Sequence, residues 1–593
     1  MQFSENWLRE WINPDISSEA LADVLTMGGL EVEEMAPAAP AFTGVVVGEI
    51  IECNKHPDAD KLNVCKVNIG QAEPLQIVCG APNARVGIRV PCATVGAVLP
   101  GDFKIKNAKL RGVASSGMLC SAKELGINPD ASGLYELPAS GDNAAPVGED
   151  IRSYLNLNDT VYTIKLTPNR ADCLSVRGVA RDVCALVGGE KAVSLTPLVI
   201  EPVAPNCDAT LPIRIDAPTA CGRFTGRVIK NLNAAAPTPQ WMIQRLERAG
   251  HRSISALVDI TNYVMLTLGQ PMHVYDLDRL SGGLTARMAK AGESIKLLNE
   301  QTHEMQDDVL VIADDEKAVG MAGVMGSWDS KAELSTKNIF LEAAFFAPEV
   351  IQGKTRRYKF TSDAAHRFER GVDFMGQIEA LEYATALVQQ ICGGEGDENP
   401  VQIGPVSEVV GELPQREKVS MRVARACKVI GVEIPAEQMV ADLSRLQLQV
   451  EREHTPSGEV LHVQAPSYRF DMAIEEDLIE EVVRLFGYNN IPTHAPLARL
   501  TVLDSPEAVR PADAVRDALV AMDYQEVVNY SFVDPALERD FAVPEQVAIE
   551  LLNPIAASLA VMRTQLIGSL VHNLKTNLAR SQSRVRVFEI AKV

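Results

Sequence analysis

Six carboxylates crowd one short stretch of the chain, RFDMAIEEDLIEEVVRLFGY at Arg469 to Tyr488, and four of them, Asp471, Asp477, Glu480 and Glu481, stand where a helix would gather them. From Ile474 onward, Ile474, Leu478, Ile479, Val482, Val483 and Phe486 recur at helical spacing and form one apolar face. Asp477, Glu480 and Glu481 stand at i, i+3 and i+4 and share the opposite face, with Asp471 just ahead of the helix. Like charges at this spacing repel, so something must offset them. A hard cation such as Mg²⁺ takes oxygen ligands and would do so. A solvated acidic face, helped by the positive N-terminus of the helix, accounts for the same residues without a metal.

A second group is cationic. KIKNAKLRG at Lys104 to Gly112 carries Lys104, Lys106, Lys109 and Arg111 with no acid between them, and HPDADKL lies upstream at His56 to Leu62. Alternation along a strand pair would project several of these charges from one side, a row suited to a phosphate backbone. The competing reading is an edge strand in which lysines deter aggregation.

A third group lies mid-chain. It comprises His273 in LGQPMHVYDLDRL, Gly323 and Gly326 in GMAGVMGSWDS, Glu342 in IFLEAAFF, and FTSDAAHRFERGVD at Phe360 to Asp373. Glu342 sits in an apolar strand, where a carboxylate needs a partner or its pKa rises. It could accept a hydrogen bond from a ligand hydroxyl, or pair with an arginine such as Arg367 or Arg370. Glycines let backbone approach a ligand closely. His273 could position a water or a terminal hydroxyl, or be an ordinary satisfied core histidine.

The elements that must carry these groups follow from pattern. Ser17 to Met27 reads as a helix ended by Gly28-Gly29. Short strands with Gly/Pro punctuation then suggest a small β-barrel. The block Ala209 to Val401 mixes helices, including Gln240–Ala249 and Ile378–Ile391, with strands and Gly-rich turns. Gly394 to Pro414 reads as a linker rich in Gly, Pro and acid. Arg416 to Pro492 forms a compact unit in which Pro435 opens a helix at its first position and VLHVQAP is a strand leading to the carboxylate helix. The last section, from Ala495, begins a further α+β module and stops directly after RVRVFEIAKV, as a truncated chain would.

At 593 residues the chain is long enough for about four domains. A hydrophobic fraction of 46% excludes a disordered protein, and a net charge of −22 argues against an indiscriminate polyanion binder. Local balance differs, since Met562 to the end holds six Lys/Arg against one Asp/Glu. Eleven scattered cysteines, without CxxC or Cys/His ligand spacing, read as reduced thiols. No signal peptide and no membrane span is evident, which makes a cytoplasmic protein with no membrane partner the default. There is no P-loop, GxGxxG, HExxH or GxSxG.

Taken together, NWLREWI, MGGLEVEEM, GEIIECNKHPDADKLNVCKV, KLRGVASSGMLCSAKELG, TPNRADCLSVRGVARDV, DITNYVMLTLGQPMHVYDLDRL, TSDAAHRFERGVD and the carboxylate helix resemble, in order, the β subunits of bacterial phenylalanine–tRNA ligases. The resemblance implies a multidomain α+β protein. Residues 1–41 with 155–195 would form a discontinuous N-terminal α/β domain. Residues 42–154 would form an OB-fold tRNA-binding barrel, with Lys55, Lys61, Lys104, Lys106, Lys109 and Arg111 on the RNA. Residues 209–401 would be an α/β editing domain that hydrolyses mischarged Tyr-tRNA(Phe). There Glu342 and the Gly326 backbone would read the phenolic hydroxyl, His273 would hold the tRNA end or a water, and Ala364 would leave room for the ring. Residues 415–493 would be a DNA-binding-type helical domain whose Asp471, Asp477, Glu480 and Glu481 ligate Mg²⁺ shared with an α subunit. Residues 495–593 would be the start of a degenerate class II synthetase-like antiparallel-sheet module, with Arg563 and Phe588-Glu589 as remnants. ATP would be used at the α subunit of an α₂β₂ heterotetramer.

Two departures stand out. Ser362 replaces the threonine usual before the Asp-Ala pair, and the chain lacks the ferredoxin-like anticodon-binding domain. The alternative from another class is a non-enzymatic tRNA-binding assembly protein with a decayed editing pocket.

Overall fold

A computed structural model describes residues 1–128, 131–140, 144–188, 193–393, 400–502, 509–542 and 546–593. The chain forms two compact units, residues 1–493 and 494–593.

The first unit begins with the strand Gln2–Ser4 and the helix Glu5–Trp11, whose N-cap is Ser4. The next helix, Ser18–Met27, is capped by Ser17, whose hydroxyl accepts from the Ala20 amide as an N-cap should. Strand Thr160–Lys165 returns between Gln2–Ser4 and Glu31–Pro37 in one antiparallel sheet. Two chain segments far apart in sequence therefore share a core around Phe3, Trp7, Leu8 and Tyr162.

Between them lies a six-stranded antiparallel sheet. Its main order is Met118–Leu119, Arg89–Leu99, Thr43–His56, Ala59–Asn68 and Leu75–Cys79. The two ends approach each other: Ser116 N donates to Gln76 O at 2.8 Å, and Val78 N to Ser115 Oγ at 3.1 Å. Ile50, Cys65, Val67, Ile77, Val90 and Cys92 fill one side of this sheet.

The central block is built from two sheets and a helical layer. One sheet runs Met272–Asp276, Ile339–Phe346, Cys221–Lys230, Gln402–Ile403, and Ser407–Val410 also pairs with Cys221–Lys230. The other runs Ile213–Ile215, Leu284–Met288, Leu310–Ala313, Ala318–Met321, Met325–Gly326. Strand Ile339–Phe346 is buried along its whole length. Its odd-numbered Ile339, Leu341 and Ala343 join the core that holds helices Ala256–Leu268 and Gln377–Cys392. Its even-numbered Phe340, Ala344 and Phe346 join the core between the sheets. The strand's period of two puts Glu342 on that second face.

The strands Gln402–Ile403 and Ser407–Val410 correct the reading of Gly394 to Pro414 as a linker. Short alternating runs find free edge positions on Cys221–Lys230, and the block extends past residue 401. Residues 394–399 lie outside the described set.

Residues 419–488 form a three-stranded sheet, Val419–Arg422, Gly458–Gln464, Gln449–Thr455, packed on helices Val423–Ile430, Ala436–Arg445 and Glu475–Phe486. Pro435 is the N-cap of its helix and not the first helical residue. Ala185 of helix Val176–Leu186 belongs to the same apolar cluster as Leu478 and Val482.

The second unit holds helices Ala512–Ala521, Pro535–Asp540 and Ile567–Ala579. Pairing in this unit is mixed rather than wholly antiparallel: among the described residues, Phe532–Val533 pairs antiparallel with Val561–Met562 and Glu550 bridges Val561 antiparallel, whereas Gln525–Glu526 pairs in parallel with Val587–Phe588. Two-residue strands cannot propagate a ladder, and Val528, Leu552 and Ile555 stay exposed. Arg563 and Glu589 form a buried ion pair at 2.9 Å. No helix among the described residues is long and apolar enough to cross a membrane.

Candidate functional site

Glu342 is a carboxylate sealed between two sheets. Its cross-strand neighbours are His273 on one side and Gly226 on the other. The hydroxyl of Tyr275 donates to its Oε2 at 2.7 Å. Burial raises the Glu342 pKa to about 7, and the Tyr275 bond pulls in the opposite direction. The expected arginine partners are elsewhere. Arg367 donates to Leu174 O at 2.9 and 3.1 Å, and Arg370 donates to His366 O and pairs with Glu369. Arg367 lies in the short helix Asp363–Phe368 and Arg370 just past its C-cap, Glu369, and the partners of both lie away from Glu342.

His273 lies beside this carboxylate. Its ring meets that of Tyr275 edge-on, with centroids 4.4 Å apart at 84°. Nε2 is buried and without a hydrogen-bond partner. Burial lowers the imidazole pKa to about 4, so the ring is neutral at physiological pH. Gly326 packs against it. A Cβ on Gly326 would fall 2.2 Å from His273 Cε1 and 2.4 Å from Nε2, so no side chain fits there. The Gly326 carbonyl accepts from Leu298 N at 3.0 Å.

Ala364 reaches the cluster through its neighbour. The Ser362 hydroxyl donates to Val324 O at 2.7 Å and accepts from Ala365 N at 3.1 Å. It thus caps the helix that carries Ala364 and pins that helix to the turn delivering Gly326. The hydroxyl makes both bonds, and serine supplies it. Ala364 packs on the apolar cluster that contains Tyr275 and Phe340. Ser362 also lines an open cleft of about 320 Å³, with His251, Asp363 and His366 around it. Tyr275, His251 and His366 were not singled out by the sequence. Tyr275 was findable, because it lies two residues from His273 on the same face of one strand.

The cationic residues divide. Lys104 and Lys106 line a cleft of about 780 Å³ in the six-stranded unit, together with Lys123 and the exposed ring of Phe103. Lys55, Lys61, Lys109 and Arg111 are exposed but do not line it. His56 joins their two hairpins. Its Nδ1 accepts from Asp58 N at 3.0 Å, which leaves the Nε2 proton for Leu110 O at 3.1 Å. Phe103 directly precedes the cationic run, and Lys123 lies beyond the strands Val113–Ser115 and Met118–Leu119, so neither belonged to the run that the sequence marked.

Asp471, Asp477, Glu480 and Glu481 do not converge on one open point; arginines and backbone amides hold three of them. Glu481 is buried with the apolar face, contrary to the reading that put it opposite. Arg469 donates to it at 2.8 Å and Arg484 at 2.5 Å, which makes its burial tenable. Burial alone would raise its pKa, but Arg469, Arg484 and Arg170 overcome this and hold it well below the usual carboxylate range. Arg469 also spans both oxygens of Asp471 at 2.9 and 2.8 Å. Asp477 caps its helix, accepting from Ala473 N and Ile474 N at 2.8 Å each. Glu480 alone faces outward, its pKa raised by burial and by the charges of Glu481 and Asp471. Among the described residues, no three His, Cys, Asp or Glu side chains are grouped to hold a metal ion. As folded in this chain, the four residues do not fit a Mg²⁺ ligand set.

Known proteins resemble this chain along its whole length. Residues 45–146 match a putative tRNA binding domain, 220–393 the B3/4 domain, 419–488 the tRNA synthetase B5 domain, and 491–593 the phenylalanyl tRNA synthetase beta chain CLM domain. The phenylalanine–tRNA ligase beta subunit of Chromobacterium violaceum is 56% identical over 593 residues, 100% of this chain and 73% of that one. Those of Cupriavidus pinatubonensis and Aromatoleum aromaticum are 53% and 55% identical, again over 100% of this chain and 72% of each relative.

Two outcomes follow from these contacts. Ser362→Ala removes a helix cap and its latch, and should destabilise the Asp363–Phe368 helix by about 1 kcal/mol. Faster hydrogen exchange at the Ala365 amide measures this. Glu481→Gln removes the charge shared by Arg469 and Arg484 but leaves them Asp471 and Asp182, and should cost about 1–3 kcal/mol in a denaturant titration, equally with Mg²⁺ or with chelator. Because the Glu481 pKa is depressed, its contribution is complete above the ordinary carboxylate range. It is lost as the pH falls through the lowered value, so the gap between wild type and variant closes in acid.

Proposed function

The chain belongs to the family of phenylalanine–tRNA ligase β subunits, and from that premise we propose that it binds tRNA and clears Tyr-tRNA(Phe) formed in error. Its partner is an α subunit that joins phenylalanine to tRNA(Phe) with ATP, in a cytoplasmic α₂β₂ complex. Membership implies ATP and Mg²⁺ use in that complex. No step is assigned to a metal at Asp471, Asp477, Glu480 and Glu481.

The observation that carries the editing reading is the buried Glu342 carboxylate, which forms no ion pair among the described residues. Tyrosine differs from phenylalanine by one hydroxyl, and an apolar pocket rejects such an isostere by only about 10²-fold. A second site that accepts a hydrogen bond from the hydroxyl selects for it, since the competitor leaves a buried acceptor unpaired. An ionised carboxylate is the strongest side-chain acceptor for that purpose. The neutral His273, with an unpartnered Nε2, is suited to hold a water or the terminal ribose hydroxyl. Water adds to the ester carbonyl, the bond to the ribose oxygen breaks, and that oxygen leaves with a proton. The small Ala364 leaves room for the ring, and Gly326 allows backbone to approach.

For the barrel, the cleft lined by Lys104, Lys106 and Lys123 beside exposed Phe103 supports RNA binding. Cations track a phosphate backbone, and an aromatic ring offers a stacking surface for an unpaired base.

Glu342→Ala should slow deacylation of Tyr-tRNA(Phe) by at least about 10-fold while aminoacylation persists. Equal rates for variant and wild type would leave a tRNA-binding assembly protein with a decayed pocket. Charge reversal at Lys104, Lys106 and Lys123 should weaken tRNA binding and flatten its log–log salt slope by about 0.7 for each phosphate no longer neutralised. An unchanged slope removes this cleft from the RNA surface.

A further inference from the structure

We propose that Tyr275 is a positioning residue for this pocket: its phenol engages Oε2 of Glu342 and leaves Oε1 as the acceptor for the hydroxyl of a tyrosyl substrate. The inference rests on the editing reading of Glu342 given above.

Geometry fixes the hydroxyl. Tyr275 pairs across the sheet with Phe340, two residues from Glu342, so its ring reaches diagonally along the strand face. The ring is 1% exposed. It packs edge-on against His273 and tilted against Phe340, with the latter centroid 6.5 Å away. A ring wedged in a close-packed core does not swing aside cheaply. Across from it stands Gly320, where even a Cβ would lie 3.8 Å from the Tyr275 hydroxyl.

Chemistry gives that hydroxyl a consequence. A phenol has one proton to donate, and an ionised carboxylate only accepts. Burial, with the Glu342 charge and the bond itself, keeps the Tyr275 pKa well above its usual value, so it remains a donor. The bond therefore favours ionised Glu342 against the burial that favours the neutral acid. Few other groups can do this. From the strand of Tyr275 comes only neutral His273. From strand Cys221–Lys230 comes the Cys221 thiol, whose pKa burial raises, with the Glu342 charge adding to the rise. The remaining neighbours on that face carry no ionisable group: Gly226 in register beside Glu342, Gly326 against His273, and the apolar Phe224, Phe340 and Ala344. Without the Tyr275 hydroxyl, Glu342 would be protonated at neutral pH and would lose the charge-assisted bond to a second phenol.

The test compares Tyr275→Phe and Glu342→Gln in the complex with the α subunit. It follows kcat/KM for deacylation of Tyr-tRNA(Phe) and Phe-tRNA(Phe) from about pH 6 to about pH 9. Wild type should gain activity on the tyrosyl ester as Glu342 ionises. In Tyr275→Phe the midpoint should move up by roughly one unit, with about a 10-fold loss of tyrosyl preference near neutrality that recovers in alkali. Superimposable profiles and preference, with Glu342→Gln defective, overturn the role of Tyr275 alone. If Glu342→Gln cleaves the tyrosyl ester as wild type does, the editing reading fails and this inference fails with it. Should Tyr275→Phe not fold, a ring-fluorinated tyrosine at position 275 keeps the shape and donates more strongly. It should move the midpoint down, and an unmoved midpoint again overturns the proposal.

Discussion

A buried carboxylate without a counter-cation is the constraint around which the central block is arranged. Transfer of an unpaired charge into a protein interior is so unfavourable that the group either finds a partner or takes a proton. Glu342 does some of each, with one phenol bond and a pKa raised to about 7. The surroundings make this possible. The strand lies in the middle of the sheet, so its backbone is fully paired, and the facing turn is cleared by Gly326 and held by Ser362. A carboxylate near its titration point in a buried, close-packed setting responds strongly to one additional hydrogen bond, which is the property a hydroxyl-reading site needs.

Glu481 shows the opposite solution with the same side chain. It is as deeply buried as Glu342, yet two arginines bond it and its pKa falls. The same guanidinium groups extend the network. Arg484 bonds Asp182 at 2.9 Å and Gly28 O at 3.1 Å, and Asp182 also receives Arg170 at 2.9 Å. The carboxylate helix is thereby joined to helix Val176–Leu186 and to the end of Ser18–Met27. A buried network of this kind is weak evidence for stability over an apolar alternative, but removal of one member strands the others. Burial alone thus does not distinguish a reactive acid from an inert one. The number of cations within hydrogen-bond reach does.

The local elements were largely legible in the sequence. Ser17 marks its helix start, and Gln240–Arg248, Gln377–Cys392 and Glu475–Phe486 fall within a few residues of their expected bounds, because cap residues and apolar period are short-range signals. Partner choice was not legible. Arg484 and Asp182 are 302 residues apart, and no periodicity reports that they meet. The acid-rich segment after residue 400 looked like a linker because edge strands need only two to four residues. For the site, the apolar run of IFLEAAFF marked Glu342 as buried, and the glycine at 326 signalled close approach. Its polar partner came from Tyr275, whose only mark in the sequence is the two-residue spacing from His273 along one strand.

Charge distribution ties the modules to one substrate. A chain of net charge −22 repels a polyanion over most of its surface, so RNA is tolerated only where lysines outnumber acids locally. Such contrast narrows the orientations in which a tRNA can approach, because a wrong encounter is met by repulsion over several ångströms of screened water. The cleft beside Phe103, if it takes the RNA as proposed, would need little intrinsic sequence preference, since the negative remainder disfavours other approaches. In the proposed reading, chemical discrimination is left to the interior, where Glu342 would act over a single hydrogen-bond length and bulk ions cannot screen it. Long-range charge orients the large ligand, short-range hydrogen bonding inspects its small appendage, and the two act at such different dielectric constants that neither has to compromise for the other.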